Sequence, residues 1–205
     1  MNILAIGPHP DDLEIGCAGT LTKYARRGHQ VFLLVITKGG MGGDPDTRYE
    51  EQRKAADIMG VKEVYWGGFQ DTALMDKGNE IIHMVERYIE TLQPHFIFVN
   101  FSEDTHQDHR AVNRSVLSAT RYVKNVLFYE VPTTNNFTPQ VFVDISETLE
   151  GKIDALLAHH SQVMKTNIED LSIVEIARSN ANFRGIQGRV KYAEAFLPQR
   201  LFINI

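Results

Sequence analysis

Ile3-Leu4-Ala5-Ile6-Gly7-Pro8-His9-Pro10-Asp11-Asp12-Leu13-Glu14-Ile15-Gly16 is the stretch on which the reading of this chain turns. Ile3 to Gly7 is an apolar run of strand length, and Cys17 to Ala25 reads as a helix. A histidine and two adjacent carboxylates therefore fall in the loop at the carboxyl end of a first strand. Open α/β sheets bind their ligands there. A second cluster, His106-Gln107-Asp108-His109, closes the polar loop after another apolar run, His95-Phe96-Ile97-Phe98-Val99.

Working outward, Gln30-Val31-Phe32-Leu33-Leu34-Val35-Ile36-Thr37 is continuous and apolar, as a parallel strand covered on both faces would be. The glycine-rich segment 38–46 has neither GxxxxGK[ST] nor GxGxxG, so it reads as a loop at the site mouth, not a phosphate cradle. A helix is expected over 48–60, a strand over 63–66 with 67–71 as its outgoing loop, and a helix over 79–92 ended by Pro94. The run 95–99 is a fourth strand, 108–123 a helix, and 126–129 a fifth strand. Beyond Pro132 the spacing predicts a strand over 141–145, a helix over 146–161 with Ser146 as N-cap, a helix near 168–182 and a terminal strand near 200–203.

This alternation predicts an α/β fold, a Rossmann-like three-layer αβα sandwich with a mostly parallel sheet. In the order 3-2-1-4-5 the first and fourth strands are neighbours across the switch point, and their loops bring the two clusters together. No repeat, low-complexity segment or linker divides the chain, so residues 1–205 are expected to form a single domain.

Composition narrows the partners. The net charge of -5 argues against nucleic acid or an anionic membrane. Cys17 is the only cysteine, which excludes an intrachain disulfide framework and a thiolate zinc site. The N-terminal apolar run is too short for a signal segment or a membrane span, so a cytoplasmic protein is expected.

Catalytic zinc takes three protein ligands and keeps a position open for water. His9, Asp12 and His109 would supply two imidazoles and a carboxylate, with Asp11 placed to take a proton from that water. His106 could stabilise an oxyanion or protonate a leaving amine, and Asp108 could hold a histidine in the required tautomer. Plainer roles compete: Asp11 or Asp12 as a helix cap, His9 as a turn residue, His106 as an exposed loop residue. Two further functions are open. One is a non-haem iron enzyme on the same His/Asp/His set, for which Asp11 has no evident use. The other is a non-catalytic Rossmann-like nucleotide-binding module, which lacks its glycine fingerprint.

At these residues the chain resembles the PIG-L / LmbE-like metal-dependent deacetylases. The signature His-Pro-Asp-Asp followed by glycine stands as His9-Pro10-Asp11-Asp12 and Gly16, and His-x-Asp-His stands as His106-Gln107-Asp108-His109. The resemblance implies His9, Asp12 and His109 as zinc ligands, Asp11 as general base and His106 as oxyanion-stabilising acid. It implies Arg48, in Arg48-x-x-Glu51-x-x-x-Ala55, as a substrate contact, and Asp71 as a sugar-binding aspartate. The stretches 158–162 and 188–196 are similar to the bacillithiol-pathway branch, which is N-acetylglucosaminyl-malate deacetylase-like. That branch implies hydrolytic removal of an N-acetyl group from a small N-acetylated amino sugar. It also implies zinc, with ferrous iron the alternative in the cell, and a homo-oligomer up to a hexamer. Arg48 would then favour an anionic aglycone such as malate. Two departures stand out: Gln107 replaces a common proline, and Asp104 stands where some members carry a tyrosine. Outside these motifs, Cys17 is expected to be a buried hydrophobe, Arg53 to lie on a solvated helix face, and His159-His160 to serve packing or an interface.

Overall fold

A computed structural model describes residues 1–203. Its elements are β1 (Asn2–Gly7), α1 (Asp12–Arg26), β2 (Gln30–Thr37), α2 (Pro45–Met59), β3 (Glu63–Phe69), α3 (Gly78–Leu92) and β4 (Phe96–Asn100). There follow α4 (Gln107–Ala119), β5 (Val126–Tyr129), β6 (Val141–Asp144), α5 (Leu149–Ala158), α6 (Ile173–Gly188) and β7 (Ala193–Arg200). The strands form one seven-stranded sheet in the order β3-β2-β1-β4-β5-β7-β6. From β3 to β5 every pairing is parallel, while β7 runs antiparallel to both β5 and β6. The expected three-layer α/β fold and its 3-2-1-4-5 order are present, with β1 directly beside β4.

Side chains of a strand alternate between the faces of its sheet. Leu4, Ile6, Leu34, Ile36, Ile97 and Val99 join the core under α3 and α4. Ile3, Ala5, Leu33, Val35 and Phe98 join the core under α1, α2 and α5. Both faces are thus apolar, which is why these strands read as unbroken hydrophobic runs.

Three expectations beyond Pro132 are corrected. The helix placed at 146–161 is the shorter α5, and Ser146 is not its cap: the Ser146 N–H donates to Asp144 Oδ1 at 2.9 Å, and Thr148 holds the cap position. The helix placed near 168–182 is α6, begun by a capping box in which the Ser172 hydroxyl accepts the Glu175 N–H and the Glu175 carboxylate accepts the Ser172 N–H. The terminal strand is Ala193–Arg200, while 201–203 lie outside any strand. Earlier in the chain, β3 runs through Gly67-Gly68-Phe69, expected as loop. Its pairing with β2 shifts register there, and Gly68, at φ 73, takes the left-handed conformation such an irregularity needs. The helix expected from 48 begins at Pro45, with Asp44 accepting the Thr47 N–H at 2.8 Å.

Two contacts set the pose of α1, whose first turn carries the motif. A Cβ on Gly16 would lie 2.2 Å from the Tyr129 ring, so only glycine lets the helix settle on β5. Lower down, a buried ion pair, Lys152 with Glu194 at 2.6 Å, bonds to the helix backbone. Lys152 donates to the Ile15 carbonyl, and Glu194 accepts the Gly19 and Thr20 N–H groups.

Candidate metal centre

The loop between β1 and α1 is anchored from β2, where Thr37 donates both its N–H and its hydroxyl to the Pro8 carbonyl. Asp11 then adopts φ 84, uncommon for a residue with a side chain. It stands at the N-cap of α1 without capping it, since its carboxylate meets Arg48 at 3.2 Å instead. Asp12 opens the helix, and its Oδ2 accepts the His9 N–H at 2.9 Å. Neither carboxylate serves α1 as a side-chain cap.

The loops after β1 and β4 meet, as strand order requires. Asp12 Oδ2 lies 3.2 Å from His9 Nδ1 and 3.3 Å from His109 Nε2. Two donors on one zinc at tetrahedral angles are separated by about 3.3 Å. The other nitrogen of each histidine is occupied by a carboxylate. His9 Nε2 lies 3.0 Å from Asp71 and 3.3 Å from Asp108, and His109 Nδ1 lies 3.0 Å from Asp104. Carboxylates so placed fix ring and tautomer and leave the facing nitrogen as a lone-pair donor. His9 also groups with Asp71 and Asp108 as possible donors, but those two meet Nε2 and leave Nδ1 beside Asp12.

His106 is the N-cap of α4, an unusual post for histidine: its Nδ1 accepts the Asp108 N–H at 3.2 Å. The proton of the neutral ring then belongs on Nε2. One nitrogen from each of His9, His106 and His109 lies within 4.8 Å of the others. Arg48 is nearly sealed, at 5% exposure, and donates to the carbonyls of Gly39 and Pro10, both at 2.7 Å, as well as to Asp11. Its guanidinium holds Asp11 and the glycine-rich loop together. Gln52, one helical turn on, accepts the Asp11 N–H and donates to Glu14. Asp71, beyond meeting His9, accepts the Met41 N–H at 2.8 Å.

Electrostatics follow from this crowding. Burial pushes Asp11 up, Arg48 opposes it and Asp12 adds to it, leaving its carboxyl raised to about 6. Burial would also raise Asp12, but the two histidines outweigh it and hold it well below the carboxylate range. Burial pulls His109 down, yet Asp12 and Asp104 drive it up to about 9, and His9 is raised by Asp108, Asp12 and Asp71 against the same burial. Asp71 is held at about 2, as hydrogen bonding and charge from His9 overcome its burial. His106 is lowered, first by burial and then by the neighbouring histidines. Asp108 Oδ1 is buried with no hydrogen-bond partner. Five carboxylates converge on a centre in which the His9 and His109 imidazoles bind protons too tightly, and one buried acceptor, Asp108 Oδ1, has no donor. Such a donor set fits a divalent cation, for which those protons stand in.

The pocket above the centre holds about 410 Å³ and is lined by His9, Asp11, Asp12, Asp71, His106 and His109, with Arg48 at one wall. All the expected site residues except the wholly buried Asp108 line it. Sequence reasoning missed Asp104, which holds His109, accepts the His106 N–H at 2.8 Å and takes the Thr134 hydroxyl at 3.2 Å. The signal was an acid in the loop that leads to a candidate histidine ligand. It also missed the Thr72 N–H, which donates to Asp108 at 2.7 Å.

Comparison with known proteins agrees with this geometry. The family described as PIG-L: GlcNAc-PI de-N-acetylase matches residues 4–120. The uncharacterized deacetylase YaiS of Escherichia coli K12 is 36% identical over 167 residues, 78% of this chain and 90% of that protein. A probable N-acetyl-alpha-D-glucosaminyl L-malate deacetylase 2 of Bacillus anthracis is 28% identical, over 78% of this chain and 81% of its own length. Among solved structures, the N,N'-diacetylchitobiose deacetylase of Pyrococcus horikoshii in complex with its inhibitor superposes with a TM-score of 0.83. It is 25% identical, over 97% of this chain and 83% of that one. The match spans both loops that build the centre, and the chain belongs to the PIG-L family of deacetylases.

Proposed function

We propose that the whole chain acts as one domain, a zinc-dependent hydrolase that removes the N-acetyl group from a small N-acetylglucosamine conjugate. The observation that carries this reading is Asp12 Oδ2 at 3.2 and 3.3 Å from two imidazole nitrogens, beside a second carboxylate held by an arginine. His9, Asp12 and His109 are the residues that would hold the ion. Bound there, zinc supplies Lewis-acid polarisation of an acyl oxygen and a lower water pKa.

The chain's own groups divide the remaining work. Asp11 takes the proton of the attacking water, and a carboxyl raised to about 6 is suited to exchange near neutral pH. Arg48 and Gln52 hold that carboxylate and its strained backbone in place. His106 donates its Nε2 hydrogen to the developing oxyanion. As the carbon–nitrogen bond breaks, the proton taken by Asp11 passes to the leaving nitrogen, and acetate and a free amine depart. Asp71, Asp104 and Asp108 orient the imidazoles. The relatives' names point to N-acetylglucosamine conjugates as the substrate class. The family resemblance adds a homo-oligomer to the reading, and the N-terminal sequence a cytoplasmic location. No helix among the described residues is long and apolar enough to cross a membrane.

The test is acetate release from a panel of N-acetylglucosamine conjugates by the protein as purified, chelated, and reloaded with zinc or ferrous iron. Activity lost on chelation and restored by zinc is expected. A fully loaded protein that releases no acetate from any conjugate would end the reading.

A further inference from the structure

Beside the pocket over the metal centre lies a second groove of about 510 Å³. The two adjoin: Ile15, Val131, Pro132 and Ile176 line both. Ile15 follows Asp12 by one turn of α1, so the shared floor begins at the proposed ligand itself. On the far side the groove is walled by Leu171 and by Phe183 of α6. Phe183 is 55% exposed, although it is a large aromatic side chain on a helix that packs against the sheet. The Arg184 guanidinium lies 5.2 Å from its ring centroid, which steadies the ring while leaving more than half of it open.

Charge completes the description. Among the described residues, no lysine, arginine or histidine lines this groove. Its one charged lining residue, Glu130, is neutralised by Arg184, which meets both carboxylate oxygens at 2.6 Å. The cations at the neighbouring pocket lie outside this groove's lining: Arg48 is held by Asp11 and two carbonyls, and Lys165 donates to the Gly42 carbonyl. An anionic group would meet no cation among the residues lining the groove, whereas a flat apolar one would find the aliphatic Ile15, Val131, Leu171 and Ile176 and an open aromatic face. Thr134, Ser179 and Asn180 are the uncharged polar part of the lining.

We propose that this groove is the subsite for the substituent beyond the N-acetylated sugar, and that it selects an uncharged substituent with an aryl or similarly flat apolar face. The inference rests on the deacetylase reading above. It replaces the anionic aglycone that Arg48 suggested, because that guanidinium is spent on Asp11 and the loop carbonyls. Contact with the remote substituent contributes to transition-state binding, so the effect belongs in kcat/KM.

The experiment compares acetate release from the methyl, phenyl and carboxymethyl glycosides of N-acetylglucosamine by the zinc-loaded protein and its Phe183→Ala and Leu171→Asn variants. The oligomeric state of each is followed by sedimentation. The phenyl glycoside should exceed the methyl by about tenfold or more in kcat/KM, the carboxymethyl should gain nothing, and the phenyl-to-methyl ratio should fall toward one in both variants. Because the readout is a ratio within one protein, a loss of folded material does not mimic it. A ratio near one in the wild type, a ratio unchanged in both variants, or a preference for the carboxymethyl glycoside would overturn the proposal. So would dissociation of the protein by Phe183→Ala, which would make the groove a subunit interface. Failure to release acetate from any of the three, methyl included, would bring down the deacetylase reading as well. Hydrolysis of all three at equal rates removes only the groove's role.

Discussion

Two of the regions in which this molecule buries charge do so in opposite ways. The Lys152–Glu194 pair is closed: both side chains are 3% exposed, and their remaining capacity is used on the α1 backbone at Ile15, Gly19 and Thr20. The cluster around His9 is open to a pocket, carries more acid than base and leaves Asp108 Oδ1 without a donor. Inside a protein an unpaired charge costs far more than a paired one. The closed pair therefore reads as a splice in a helix, and the acid-rich cluster as a site short of one cation. Completeness of partners, more than burial, separates structure from function here.

Breaking each region should give a different signature. Asp11→Asn removes the base but no ligand, so kcat should fall about 10²- to 10⁴-fold while metal content, read by elemental analysis, stays unchanged. Loss of metal together with activity would place Asp11 among the ligands instead. Lys152→Met leaves Glu194 buried and unpaired, and denaturant unfolding should show a loss of about 3–5 kcal/mol. Turnover per folded molecule should hold, and the double variant Lys152→Met/Glu194→Gln should recover part of the stability. A large drop in turnover with stability intact would move the pair into the active machinery.

Smaller effects sharpen the contrast. Asp104→Asn keeps the fold of its loop but weakens the grip on His109, and zinc affinity by competitive chelation should drop about 10- to 100-fold. Protonation gives the mildest lever. In the metal-free protein the folded-state pKa of His109 is raised to about 9, so below that pH the imidazole holds a proton that zinc must displace. His9 is raised as well and adds a second proton, so affinity should weaken by between about tenfold and about a hundredfold per unit as pH falls through the neutral range. An affinity independent of pH would mean that no such proton is displaced.

Legibility in the sequence followed the range of the interaction. β2 and β5 occupy the bounds expected from their apolar runs, because burial on both faces writes itself into consecutive residues. The alternation of strands and helices pointed to a parallel sheet, and the order 3-2-1-4-5, one of those such an alternation permits, is the one present and brings the two clusters together. The larger displacements lie after Pro132, where the sheet turns antiparallel. β7 begins Ala193-Glu194-Ala195, with no β-branched residue and with an acid pointing into the core. Glu194 is tolerated there only because Lys152 arrives from α5, forty-two positions earlier in the chain. Asp104 looked like a departure from a pattern, and its role emerged only from its 3.0 Å contact with His109.

The chain order of chemical groups settled which residue types reach the carboxyl ends of β1 and β4, and the hydrophobic pattern settled that both strands are buried on two faces, as in a parallel sheet. Both are properties of neighbours in sequence and of simple periodicity. The tertiary structure alone decided which nitrogen of His9 faces Asp12, how Arg48 is spent on Asp11, and which buried charges are complete. Those depend on side chains separated by tens of positions meeting within about 3 Å, where partner geometry and desolvation outweigh local preference.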